Sequence, residues 1–130
     1  MPTVLLADDQ EEVLNAIART LRDEFQVVGA AENGMRTLDL VAKLSPDVLL
    51  LDISMPAMNG IEVALRLRAF APQVRVIFLT VHQDPDMVEA ALSAGACGYV
   101  LKPCLTTELV PAIWEVLGGK TFVSPSIRLH

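Results

Sequence analysis

The carboxylates Asp8, Asp9 and Asp52, the hydroxyl of Thr80 and the ammonium of Lys102 are the side chains of this sequence that could act together on a phosphate. Three carboxylates brought to one place repel one another, and one would hold a proton at neutral pH unless a cation lay among them. Oxygen-only donors suit a hard cation. Magnesium takes one or two carboxylates and keeps several waters, which fits a shallow acidic site better than calcium's larger cage does. An oxygen of Asp52 could then attack an activated phosphoryl group in line, while the cation, Lys102 and the Thr80 hydroxyl neutralise or bond the equatorial oxygens. Each residue also has a plainer reading. Asp8 and Asp9 could cap a helix, Asp52 could be a turn aspartate ahead of Pro56, and Thr80 and Lys102 are individually commonplace.

Placement favours the chemical reading. Short runs rich in branched apolar residues, at 3–7, 25–30, 47–51, 75–80 and 98–101, alternate with longer stretches of helical character. That alternation specifies a parallel sheet with helices on both faces. The third and fourth runs are continuously apolar and belong in the middle of the sheet. Helical spacing recurs at Leu14, Ile17, Ala18 and Leu21, and again at Met87, Val88, Ala91 and Leu92, with Gly95 as a stop. Further helices are predicted over 35–44, 61–70 and 106–117, the first two preceded by Asn33-Gly34 and Asn59-Gly60, with Asp84-Pro85 opening the helix at Met87. Pro111 should distort or shorten the start of the last helix. In an open α/β sheet ligands bind outside the carboxyl ends of the strands. Asp8 and Asp9 follow the first strand, Asp52 the third and Lys102 the fifth, while Thr80 ends the fourth, so all converge on that edge.

Composition sets bounds. A chain of 130 residues can bury one core without metals or disulfides. Its hydrophobic fraction of 52% includes no run long enough to span a membrane. The N-terminus lacks a basic segment ahead of Val4, so it does not read as a signal peptide, and cytoplasmic residence is expected. Cys97 and Cys104 lack metal-ligand or redox spacing and read as free thiols. With a net charge of −6 and only 10 scattered Lys and Arg, the segment is not expected to hold nucleic acid by itself. Trp114 reads as packing and His130 as a solvated terminus.

The ordered set Val4-Leu5-Leu6-Ala7-Asp8-Asp9, Leu50-Leu51-Asp52-Ile53-Ser54-Met55-Pro56, Asn59-Gly60, Leu79-Thr80, Ala94-Gly95-Ala96 and Gly98-Tyr99-Val100-Leu101-Lys102-Pro103 resembles the landmarks of two-component response regulator receiver domains. The resemblance implies a flavodoxin-like, doubly wound, five-stranded sheet of order 2-1-3-4-5. It implies Asp52 as phosphoacceptor, with Asp9 and Asp52 as direct magnesium ligands, Asp8 acting through water and the Ser54 backbone carbonyl completing the protein's share. Thr80 and Tyr99 match the switch pair, whose ring turns inward as the hydroxyl is drawn to the phosphoryl group. Ser54 and His82 match positions that tune phosphoryl lifetime, and Lys102-Pro103 resembles the family's frequent cis peptide. The resemblance further implies a sensor histidine kinase as partner and a self-phosphorylating, autodephosphorylating protein that is not a conventional enzyme.

Residues 27–34 and the tail at 118–125 are similar to the NarL/FixJ subfamily, whose tail leads into a helix-turn-helix domain. The expected organisation is a receiver domain over 1–119 and a tail or linker start over 120–130, with transcriptional output and a homodimer as further expectations. Pro103 departs from that subfamily, which more often has an acid there. Other readings stay open at this point. An aspartyl-phosphate phosphatase would have a second acid where Ser54 stands. A receiver-like interaction module would take no phosphate, and a flavodoxin-like cofactor binder would want bare N–H groups after the first strand.

Overall fold

The computed structural model describes residues 1–127. Its strands are β1 (Thr3–Ala7), β2 (Gln26–Ala31), β3 (Val48–Leu51), β4 (Arg75–Thr80), β5 (Gly98–Leu101) and β6 (Phe122–Val123). The helices between them are α1 (Glu11–Leu21), α2 (Gly34–Leu44), α3 (Gly60–Phe70), α4 (Pro85–Ser93) and α5 (Leu105–Leu117). All pairings are parallel, in the order β2-β1-β3-β4-β5-β6. The predicted order holds for the first five. The sixth strand was not foreseen: residues assigned to a tail lie along β5, and the packed body extends to Ile127, which is 9% exposed.

Alternation along the strands divides the core into two layers. Leu5, Leu49, Leu51, Phe78 and Tyr99 face α2, α3 and α4, meeting Val41, Val63, Leu67, Val88 and Ala91. Val4, Leu6, Val48, Leu50, Ile77 and Val100 face α1 and α5, meeting Ile17, Leu21, Leu109, Ile113 and Val116. Central strands are covered on both sides, which is why their sequences are continuously apolar.

Local chemistry sets the helix starts. The Asn33, Asn59 and Asp84 side chains accept N–H groups of Arg36, Glu62 and Asp86, and Pro85 occupies the first turn of α4. Pro111 does not shorten α5. The helix begins one residue earlier than predicted, straight out of a 3-10 turn over Lys102–Cys104, and continues past the proline. Trp114 on α5, though exposed, packs against Phe25 with ring centroids 5.0 Å apart and tilted by 39°, and donates to Glu24. Cys97 and Cys104 are free and partly buried, and His130 lies outside the described residues.

Candidate functional site: an acidic pocket at the carboxyl end of the sheet

Backbone bonds carry the sheet's ladder directly into the pocket. The Asp8 N–H donates to the Ala31 carbonyl at 3.0 Å, and the Asp52 N–H donates to that of Ala7 at 2.9 Å. Asp8, Asp9 and Asp52 are thereby drawn together, each offering a carboxylate oxygen within 4.8 Å of the others. Asp8 and Asp52 are 2% and 5% exposed, so they form the floor, while Asp9 is exposed at the rim.

Lys102 closes the pocket from β5. Its Nζ lies 2.8 Å from Asp8 Oδ2 and 3.3 Å from Asp52 Oδ2. This ammonium supplies part of the positive charge that three neighbouring carboxylates require. Burial pushes the Asp52 carboxyl above the ordinary carboxylate range and the Asp8 charge adds to the rise; Lys102 and the Ser54 N–H work against both. Burial works against the Lys102 ammonium, yet its bond to Asp8 and the charges of Asp52 and Asp8 leave it above its ordinary value, hence protonated.

The loop after β3 is shaped by close approach. A Cβ on Gly60 would fall 2.3 Å from the Asp52 carbonyl oxygen and 2.9 Å from the Phe78 ring, so only glycine lets α3 start this close to the end of β3. Ala57 in the same loop has φ +66°, a left-handed conformation that strains a residue with a Cβ.

Thr80 is fully buried, and its hydroxyl accepts the His82 N–H at 3.2 Å. Tyr99 is also fully buried, and its hydroxyl donates to the His82 carbonyl at 2.8 Å. The ring therefore already occupies an inward position. Burial, then the negative charge of Asp84, pushes the Tyr99 phenol up to about 12. Ser54 Oγ lies 2.9 Å from His82 Nε2, so the two residues flanking the pocket are bonded to each other.

The Lys102-Pro103 peptide departs from the cis geometry that the family resemblance implies. Among the described residues no peptide bond is cis, so Lys102-Pro103 is trans. Pro103 sits in the first turn of the 3-10 helix, where its fixed φ suits a trans chain already turning into α5. The plainer reading of Asp8 is partly realised: its carboxylate accepts the Gln10 N–H at 2.8 Å, although Gln10, the N-cap of α1, makes no side-chain cap bond. Two residues not singled out, Gln10 and Ser124, also shape the site, as does Gly60. Gln10 reaches Lys102 at 3.4 Å, Gly60 seats α3, and Ser124 supports β5. The position of Gln10, directly after an acid pair at a strand end, was a usable signal; Ser124 had none.

Compared with known proteins, residues 4–114 match the family described as the response regulator receiver domain. The chain belongs to that family. It is 37% identical over 129 residues to the response regulator GacA of Pseudomonas aeruginosa, covering 98% of this chain and 60% of GacA. It is 36% identical to the probable transcriptional regulatory protein NarL of Mycobacterium tuberculosis, covering 95% of this chain and 58% of NarL. The chain thus spans about 60% of the length of these curated relatives. Among solved structures, a LuxR-family two-component response regulator from Aurantimonas superposes with a TM-score of 0.93 at 30% identity, over 98% of this chain and 92% of that one. The signal receiver domain of M. tuberculosis NarL gives 0.87 at 35% identity, over 92% and 98%. Similarity to NarL and LuxR-family proteins bears out the subfamily resemblance. No helix among the described residues is long and apolar enough to cross a membrane.

Proposed function

We propose that this receiver domain takes a phosphoryl group on Asp52 from the phosphohistidine of a sensor kinase and changes its binding face in response. The observation that carries the reading is the buried Asp52 carboxylate, gathered with Asp8 and Asp9 and bridged to Asp8 by Lys102. An Asp52 oxygen attacks phosphorus as the bond to the donor imidazole nitrogen breaks, and later attack by water releases inorganic phosphate and restores the carboxylate. Lys102, protonated and aimed at Asp52, neutralises charge on the transferred group, and the Thr80 hydroxyl at the end of the adjoining strand bonds one of its oxygens.

The donor chemistry fits magnesium: every candidate ligand is a hard oxygen, and the carboxylate oxygens sit within 4.8 Å of one another. Asp9 and Asp52 would hold the ion directly, Asp8 through water, and Ser54 through its backbone carbonyl. When bound, magnesium supplies positive charge against the phosphoryl oxygens and orients them.

Thr80 and Tyr99 form the switch pair, and both already engage the backbone of His82. Ser54 and His82 set the lifetime of the acyl phosphate: they are bonded to each other, and the Ser54 N–H donates to the Asp52 carboxylate at 3.3 Å, which places the pair beside the attacked group. The phosphatase reading loses support, since Ser54 stands where that chemistry wants an acid and its hydroxyl is engaged by His82. Relatives named as transcriptional regulators support a DNA-binding output outside residues 1–119, with 120–130 as the connecting segment, a cytoplasmic setting and self-association as a homodimer. A solved structure described as two RcsB dimers on parallel DNAs is consistent with that last point.

The test is labelling by acetyl phosphate. Wild-type protein should gain an acid-stable, base-labile aspartyl phosphate only with magnesium present, and Asp52→Asn should gain none. Labelling retained in Asp52→Asn would end the assignment.

A further inference from the structure

The residues after α5 pair with the strand that carries Tyr99 and ends just before Lys102. Phe122 and Val123 align with Gly98 and Tyr99 of β5. The Phe122 N–H donates to the Cys97 carbonyl at 3.0 Å and the Ser124 N–H to that of Tyr99 at 2.9 Å. Ser124 is fully buried, and its hydroxyl does two things. It accepts the Leu101 N–H at 2.9 Å and donates to Glu108 Oε1 on α5 at 2.5 Å. The N–H immediately preceding Lys102 is thus satisfied by a side chain from the tail, where the ladder would otherwise leave it open. Side chains anchor the segment too: Phe122 packs on the α1/α5 layer, and Val123 and Ile127 on the other.

We infer that this docked tail is the element through which the pocket's state leaves the domain: a phosphoryl group on Asp52 loosens β6 from β5, and undocking of β6 favours the phosphorylated state. The inference rests on the reading of Asp52 as acceptor. With no phosphoryl group present, Lys102 reaches Asp8 and Asp52, and the docked tail holds the peptide just before it. A new anionic group in the pocket redirects Lys102, and the Leu101 N–H bond to Ser124 is the nearest tail bond to that movement. A two-residue strand has little stability of its own, so it opens at far lower free energy than the central strands. Coupling of this kind is reciprocal: whatever factor the pocket ligand applies to tail opening, tail opening applies to ligand affinity.

The test is amide hydrogen exchange on the full 130-residue chain with magnesium, with and without beryllofluoride as the phosphoryl mimic. The Phe122 and Ser124 amides should exchange about five-fold faster or more with the mimic bound, the lower end of ordinary coupling. Ser124→Ala should tighten beryllofluoride binding by a comparable factor and should shift the ring resonance of Tyr99, the one tyrosine of the chain. Mimic-dependent change near Asp52 with unchanged or slower exchange at Phe122 and Ser124 would overturn the inference while leaving the acceptor assignment standing. Absence of any mimic-dependent change, at Asp52 included, would remove the acceptor reading and this inference with it. Ser124→Ala with unaltered mimic affinity and an unmoved Tyr99 resonance would overturn the coupling on its own.

Discussion

Leu51 and Asp52 are neighbours in sequence and nearly equal in burial, at 0% and 5% exposure, yet burial acts on them in opposite senses. For Leu51 and the layers around it, removal from water is the main stabilising term. For Asp52 the same removal disfavours the ionised form that the proposed phosphoryl transfer needs, and the nearby Asp8 adds to the difficulty. The pocket is therefore held in place by the layers beneath it and contributes little to holding them. Lys102 offsets part of this conflict, and a bound divalent cation would offset more.

The sharpest way to break that contrast is to weaken the layers. Phe78 lies fully buried on β4, its ring 6.4 Å from that of Tyr99 and against the backbone of Gly60. Phe78→Ala should cost about 3–5 kcal/mol in urea unfolding. A loss under about 1 kcal/mol would mean that the layer is not closely packed and does not position the pocket.

Tyr99 belongs to both regions, with its ring in a layer and its hydroxyl among the loops. Its folded value of about 12 lies above the unfolded value of 10.0, so the neutral phenol is the form the fold favours. Its contribution is complete below pH 10 and is lost as pH rises toward the folded value, about 3 kcal/mol in all. Since the chain has one tyrosine, tyrosinate absorbance at alkaline pH reads this group alone. A midpoint near 10 would place the hydroxyl in water.

Asp52 shifts in the same direction as Tyr99, but its loss falls in a lower pH range. With its folded value raised above the unfolded one, the metal-free protein loses stability as pH climbs through and past the ordinary carboxylate range. Asp52→Asn should therefore melt a few degrees above wild type at pH 7 without metal. Added magnesium should narrow or reverse the gap. A metal-free variant less stable than wild type would show that the Lys102 bridge outweighs desolvation.

These contrasts bear on what could be read from sequence. The layers were legible because continuous apolar runs such as 48–51 and 76–79 tolerate few arrangements, and the pocket because charged residues directly after such runs must fall at strand ends. The unequal burial of Asp8 and Asp9 was not legible, because it depends on which side of the chain's exit from β1 each one takes. Neither was β6: two strand residues carry no periodicity, and their pairing depends on a buried Ser124 hydroxyl that resembles any linker serine. The trans peptide at Pro103 likewise follows from the 3-10 turn it enters, a tertiary outcome.

The smallest effect lies where the two regions meet, in the loop between β3 and α3. Ala57 is exposed and belongs to neither core layer, yet its backbone sits at φ +66°. A left-handed conformation costs a residue with a Cβ roughly 1–2 kcal/mol, and glycine recovers that while giving back about 0.5–1 kcal/mol of chain entropy. Ala57→Gly should thus stabilise by about 0.5 kcal/mol, with acetyl phosphate labelling unchanged. If stability rises but labelling slows, the strain at Ala57 helps to hold Asp52 and Ser54 in place, and the pocket draws on its own loop as well as on the layers below.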